Sequence, residues 1–270
     1  MSCTIVRSAL FVPGNRPERF DKALASGADA VIIDLEDAVA PQDKPQARVN
    51  LQAFLERQAD ARVLVRVNAA GHCEHEADLQ LCRRLPGVVG ILLPKAETPS
   101  QVLAVAATHK PVWPLIESAR GVLAIEAIAA CAGVARLTFG ALDLALDLGM
   151  QAGSRAADSV FDQVRYAMLL HSRVNDLASP LDSVYPDFEN AAGLDAAMRR
   201  GRDMGLGGAL CIHPRQVAVI HAALAATAQE KAWAQRVLDA ATSGQAVFEV
   251  DGQMVDAPVI DRARRLLAQG

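Results

Sequence analysis

Residues 30–41 read AVIIDLEDAVAP. An unbroken apolar run reaches Asp34, and Glu36 and Asp37 follow at once. A strand that is apolar on both faces belongs to a parallel sheet covered by helices, not to a sheet with one wet side. Carboxylates at the end of such a strand are costly unless a cation or a metal offsets them. The stretch is therefore a metal site, an acid/base pair or a solvated loop, and its place in the fold decides which.

Working outward, similar runs recur at 8–13, 29–37, 62–68, 89–95, 111–118, 135–143, 179–185 and 207–213, the seventh being the weakest. Helical patterns lie between and after them, at 16–26, 44–58, 74–84, 99–108, 119–131, 158–177, 188–204 and 215–227. Pro17 and Gly27 bracket the first helix, and Asp158 is the expected N-cap of the sixth. Eight strands alternating with eight helices predict a (β/α)8 TIM barrel. A doubly wound open sheet is the alternative, but no G-x-G-x-x-G follows any strand. After residue 227 the alternation stops. The tail reads as a helix, a hairpin around Asp251-Gly252 and a short amphipathic helix. The expected division is a barrel over 1–227 and, over 228–270, a C-terminal helix–hairpin–helix lid that covers its own barrel or a neighbour.

The chain has 270 residues, 51% of them hydrophobic, which suffices for a sizeable core. A net charge of −4 without a basic stripe, and only 4% aromatics, argue against nucleic acid as a partner. No uncharged run approaches the about 20 residues of a membrane helix, and Arg7 interrupts the short apolar region at the N-terminus. The five cysteines are scattered, with no C-x-x-C, and read as free thiols in a reducing cytoplasm.

In a barrel of this kind the loops after the strands build the active site. Polar residues stand at those ends: Asp34, Glu36 and Asp37; Arg66 and Asn68; Lys95; Glu117; Asp143; His213. Their convergence on one rim weighs more than any single motif. Some signals point elsewhere. GHCEHE at 71–76 opens a helix with a spacing that fits no zinc pattern, and reads as a solvated loop and helix start. Lys95 would suit a Schiff-base aldolase, but the carboxylates around it favour a metal. For His213 a structural role weighs at least as much as a place on the rim.

Several segments, in order, resemble the citrate lyase beta-subunit / malyl-CoA lyase family: LFVPGNRPERFDKA, AVIIDLEDAV, RVN, LPKAE, IESARGV, FGALDLALDLG, CIHPRQV and DGQMVDAPV. Together they cover nearly the whole chain. The resemblance implies a Mg2+-dependent carbon–carbon lyase, with Mn2+ as an alternative ion. It implies a 3-hydroxyacyl thioester as substrate, with coenzyme A as part of that substrate. It also implies a homo-oligomer, trimer or hexamer.

By that resemblance Glu117 and Asp143 are the metal carboxylates, in keeping with the few protein oxygens Mg2+ usually takes. A helix cap for Glu117 and an ion pair for Asp143 are the alternatives. Asp147 is a rival ligand, set behind Asp143 because Asp143 comes directly off the strand. Arg66 matches the arginine of RVN, a guanidinium suited to a carboxylate or to a developing enolate; a salt bridge to Asp34, Glu36 or Glu117 is compatible with that role. Arg16 and Lys22 match positions near the coenzyme A phosphates, against the reading of a solvated helix face. Asp256 matches a proton-transfer aspartate contributed by a neighbouring subunit. Glu36 and Asp37 then become supporting groups that bond the water around the metal or orient Arg66. One departure stands out: Ala209, in GLGGALCIHP, occupies a place where the family commonly carries lysine.

Overall fold

The computed structural model describes residues 5–242 and 245–268. They form two compact units, Met1–Ala223 and Leu224–Gly270. Thr227, at the boundary expected from the sequence, caps the helix that follows it, paired with Glu230.

The first unit runs β1 (Ser8–Pro13), α1 (Phe20–Leu24), β2 (Ala30–Asp34), α2 (Lys44–Arg57), β3 (Val63–Arg66), α3 (His75–Arg84), β4 (Val88–Leu93), α4 (Pro99–Ala106), β5 (Val112–Ile116), α5 (Ala119–Leu123), α6 (Ile125–Ala129), β6 (Arg136–Phe139), α7 (Ala141–Asp147), α8 (Arg155–Val174), β7 (Ala178–Asp182), α9 (Ala191–Met204), β8 (Gly208–Cys211) and α10 (Pro214–Leu224). The eight strands close into a barrel in sequence order. Every neighbouring pair is parallel, and β8 returns to β1 with Ala9 opposite Leu210. This is the (β/α)8 barrel that the alternation predicts, and its weakest expected strand, β7, is present.

Side chains of a strand alternate between two faces. Ala9, Ile32, Leu64, Leu92, Trp113, Leu115, Leu181 and Leu210 form one buried cluster. The strands end earlier than the apolar runs suggest. Glu36 and Asp37 lie in the loop after β2, Lys95 two residues past β4 and Glu117 one past β5. The expected helix over 119–131 is broken at Ala124 into α5 and α6. The sequence reading also missed α7: Gly140 caps its start, so Asp143 sits in its first turn and not directly off β6. Asp158 is not the cap of α8. The helix begins earlier, at Ser154, whose hydroxyl accepts the Ala157 N–H.

The second unit holds α11 (Ala228–Ala241), β9 (Phe248–Val250), β10 (Gln253–Val255) and α12 (Ala257–Ala268). The two strands pair antiparallel around Asp251 and Gly252, both at positive φ (53° and 77°), the backbone that a tight hairpin turn needs. Ala234, Val237, Val250, Val255 and Ala263 form its own small core. Cys73, Cys82, Cys131 and Cys211 are free thiols, and Cys3 lies outside the described residues. Among the described residues no helix is long and apolar enough to cross a membrane.

Candidate active site

The strand period of two builds the site. Ile32, Leu64 and Leu115 belong to the buried cluster, and two residues beyond each stand Asp34, Arg66 and Glu117. Asp34 and Arg66 are register partners on neighbouring strands. Their side chains meet in a two-pronged contact: Arg66 Nε donates to Asp34 Oδ1 at 2.8 Å and Nη2 to Oδ2 at 2.6 Å. Asp34 also accepts the backbone N–H groups of Glu36 (2.9 Å) and Ala38 (3.2 Å), which shapes the loop after β2. The guanidinium lies 4.8 Å above the Phe11 ring, a cation–π contact from the other neighbouring strand of β2.

Glu36 is buried between two cations. Its Oε1 accepts from Lys95 Nζ at 2.7 Å. Its Oε2 lies 3.2 Å from Arg66 Nη1, close enough for an ion pair yet not aligned as a hydrogen bond, and it is a buried oxygen with no hydrogen-bond partner. Asp37 is half exposed, 3.9 Å from Arg66 and 3.7 Å from Lys95. Burial works against charge on Arg66 and Lys95, but the surrounding carboxylates more than offset it and hold both above their ordinary pKa. Burial raises the pKa of Glu36, while Arg66 and Lys95 pull it back only in part.

Glu117 is buried, and its Oε1 accepts the backbone N–H of Lys95 at 2.8 Å. Lys95 itself has a left-handed backbone, at φ 49°. Burial, then the charges of Glu36 and Asp143, push the Glu117 carboxyl up to about 8. Gly140 leaves the space beside it: a Cβ there would stand 2.6 Å from Glu117 Oε2. Among the described residues Oε2 accepts no hydrogen bond. Asp143 reaches the same place from α7, whose first N–H (Ala141) is held by Ser183 Oγ at 2.9 Å.

Arg66, Glu117 and Asp143 line one solvent-open cleft with Phe11, Leu115, Phe139, Leu142 and Leu210 among its apolar walls. Two carboxylates with open oxygens, one raised in pKa by burial and by neighbouring carboxylates, suit a hard divalent cation that takes its remaining ligands from water or substrate. No cluster of three or more metal-ligating side chains occurs among the described residues.

Other candidates have different places. Asp147 accepts the Ala119 N–H at 2.7 Å and so caps α5. Arg16 and Lys22 are exposed, and Arg16 pairs with Glu18 at 2.7 Å. His213 stacks on Phe188, with ring centres 4.8 Å apart. The 71–76 stretch is tied into structure: Glu74 and Asp78 hold Arg48, and His75 Nδ1 lies 2.6 Å from the Asn68 carbonyl. Asn68 is likewise structural, bonding Asp78 and the Leu35 carbonyl. Ala209 is buried in β8. Asp256 belongs to the second unit, where its carboxylate accepts the Val259 N–H at 3.4 Å at the start of α12.

Three contributors went unseen in the sequence. Lys44 is buried and donates to the Leu35 and Glu36 carbonyls at 2.9 and 2.8 Å, pinning the acidic loop. Ser183 seats α7. Phe11 floors Arg66, and its alternation with Ala9 along β1 was the one available signal.

A parallel barrel with charged side chains gathered at the C-terminal ends of its strands has the layout of a TIM-barrel enzyme. The chain belongs to the HpcH/HpaI aldolase/citrate lyase family, whose model matches residues 7–214. It is 38% identical over 265 residues to a citrate lyase subunit beta-like protein of Mycobacterium tuberculosis (strain CDC 1551 / Oshkosh), covering 96% of this chain and 93% of that one. It is 35% identical over 272 residues to a (3S)-malyl-CoA thioesterase of Cereibacter sphaeroides (strain ATCC 17029 / ATH 2.4.9), covering 97% and 94%. The crystal structure of protein CitE from Mycobacterium tuberculosis in complex with magnesium, acetoacetate and coenzyme A matches with a TM-score of 0.86 at 37% identity, over 98% of both chains.

Proposed function

We propose that this protein is a Mg2+-dependent lyase that splits a 3-hydroxyacyl thioester of the malyl-, citramalyl- or citryl-CoA type into an acetyl thioester and a 2-keto acid. The observation that carries the reading is the meeting of Glu117, Asp143 and Arg66 in one cleft. The solved relative with magnesium, acetoacetate and coenzyme A supports it.

Glu117 and Asp143 would hold the ion. Bound there, Mg2+ supplies a Lewis acid for the substrate carboxylate and hydroxyl oxygens. The chain's own groups do the rest. A base takes the hydroxyl proton, the C–O bond becomes a carbonyl, and the bond between the second and third carbons breaks. Its electron pair passes to the thioester as an enolate. Arg66, fixed by Asp34 and Phe11, presents an N–H of its Nη1 end to that oxygen. Protonation at carbon completes the acetyl thioester. The proposal extends to Asp256 as the proton-transfer group, to Arg16 and Lys22 as contacts for the coenzyme A phosphates, and to a trimeric or hexameric assembly.

Glu117→Gln keeps the shape but removes the charge. We expect it to abolish Mg2+-dependent release of keto acid. Turnover at the wild-type rate would overturn the ligand assignment. Asp256→Asn retains the cap of α12 and should lower kcat by about 100-fold, the usual scale for a lost general base. A second reading, hydrolysis of the thioester, is favoured by the Cereibacter relative. It would yield free thiol and a hydroxy acid with no keto acid.

A further inference from the structure

Lys95 reaches the site from two directions at once. Its backbone N–H holds Glu117 Oε1 at 2.8 Å, and its ammonium holds Glu36 Oε1 at 2.7 Å. The left-handed backbone at φ 49° makes both contacts compatible, and a lysine rarely adopts it without cause. Glu36 therefore faces two competing cations. The ammonium takes Oε1 in a hydrogen bond. The Arg66 guanidinium, 3.2 Å from Oε2, is left with an ion pair that is not aligned as one. Arg66 Nε and Nη2 are already committed to Asp34, so Nη1 is the end of the fork that Glu36 would claim first.

We infer that Lys95 is a positioning residue: by holding Glu36 it prevents a tight Glu36–Arg66 pair and keeps the Nη1 end of Arg66 available to the substrate. The inference rests on the reading above, in which Arg66 meets the enolate. Without the ammonium, Glu36 has one strong donor left within reach. It swings onto Nη1, and Arg66 then meets the substrate with a third one of its five N–H donors taken, on the end that faces away from Asp34. The backbone clamp on Glu117 survives loss of the side chain, so the metal ligand stays in place. Removing a cation beside Glu117 also leaves the site more negative, which favours a divalent ion.

The test compares Lys95→Met, Lys95→Gly and Lys95→Arg in the full-length protein. The glycine variant accepts the left-handed backbone freely and guards against a folding defect in the methionine variant. Readouts are kcat and KM on whichever acyl-CoA the wild type cleaves, Mg2+ affinity by calorimetry, and Tm. We expect Lys95→Met and Lys95→Gly to lose about 10- to 100-fold in kcat, the cost of a displaced catalytic group, with KM changed little. Mg2+ should bind no more weakly than to the wild type, and Tm should stay within about 3 °C. Lys95→Arg should recover most of the loss. Wild-type kcat in the methionine and glycine variants overturns the inference. So does a loss of kcat that comes with weakened Mg2+ binding and a large fall in Tm, which marks a merely structural role. If the wild type neither binds Mg2+ nor cleaves any thioester, the lyase reading falls and the inference falls with it.

Discussion

Arg66 carries a planar fork, and the site uses it as one. Two prongs lock onto Asp34, and the ring of Phe11 supports the plane. Lysine keeps the charge but cannot reproduce a two-pronged, stacked geometry. Arg66→Lys should lower kcat by about 100-fold, as loss of one oxyanion donor does, while Mg2+ binding stays near wild type; calorimetry and steady-state kinetics separate the two. Glu117 gives a pH signature. Burial with Glu36 and Asp143 nearby raises its carboxyl from 4.5 to about 8 in the metal-free chain. Between these values the unfolded chain releases a proton that the folded chain keeps, so stability falls as pH rises through that window. Metal-free Tm should therefore drop from pH 5 to pH 8, and Glu117→Gln should flatten that drop. A Tm that climbs equally in both proteins would oppose the assignment. Glu117, Asp143 and Arg66 were legible because each follows an apolar run and sits in a segment with family likeness. Lys44 and Ser183 were not, since each looks like ordinary loop polarity until the chain closes and brings a backbone group to it.

Strands were legible as elements because their unbroken apolar runs leave few other homes. Their ends were not, since Asp34, Arg66 and Glu117 continue the inward face past the last apolar residue. The missed helix, α7, has a physical reason. Its seven residues bury only the adjacent pair Leu144 and Ala145, with the leucines at 142 and 146 exposed, so no apolar stripe runs along it by which a helix is usually read. The preference for Asp143 over Asp147 thus rested on a strand end that is really a helix start, while the cap that Asp147 makes for α5 gives it separate employment. Closure of the barrel depends on close approach of β8 to the chain before β1. A Cβ on Gly208 would stand 2.1 Å from the Arg7 carbonyl oxygen. Gly208→Ala should destabilise the protein by about 3 kcal/mol or more, since backbone cannot yield as a side chain does. Chemical denaturation would show it, and an unchanged midpoint would contradict this packing of the seam.

At the scale of the whole molecule, the barrel follows from the alternation of strand and helix, and the tail separates itself by breaking that alternation. The sequence also announced the tail's hairpin, because Asp251-Gly252 supplies two residues that accept positive φ. The shape of the cleft was not legible: Phe11, Leu115, Phe139, Leu142 and Leu210 meet around it from distant parts of the chain. The central claim is that this cleft breaks a carbon–carbon bond. The direct measurement incubates wild-type protein with malyl-, citramalyl- and citryl-CoA, with Mg2+ and with EDTA, and quantifies keto acid, acetyl-CoA and free thiol together. We expect keto acid and acetyl-CoA in equal amounts from at least one substrate, only with Mg2+. Free thiol accumulating without keto acid would contradict carbon–carbon cleavage and establish the hydrolytic reading in its place.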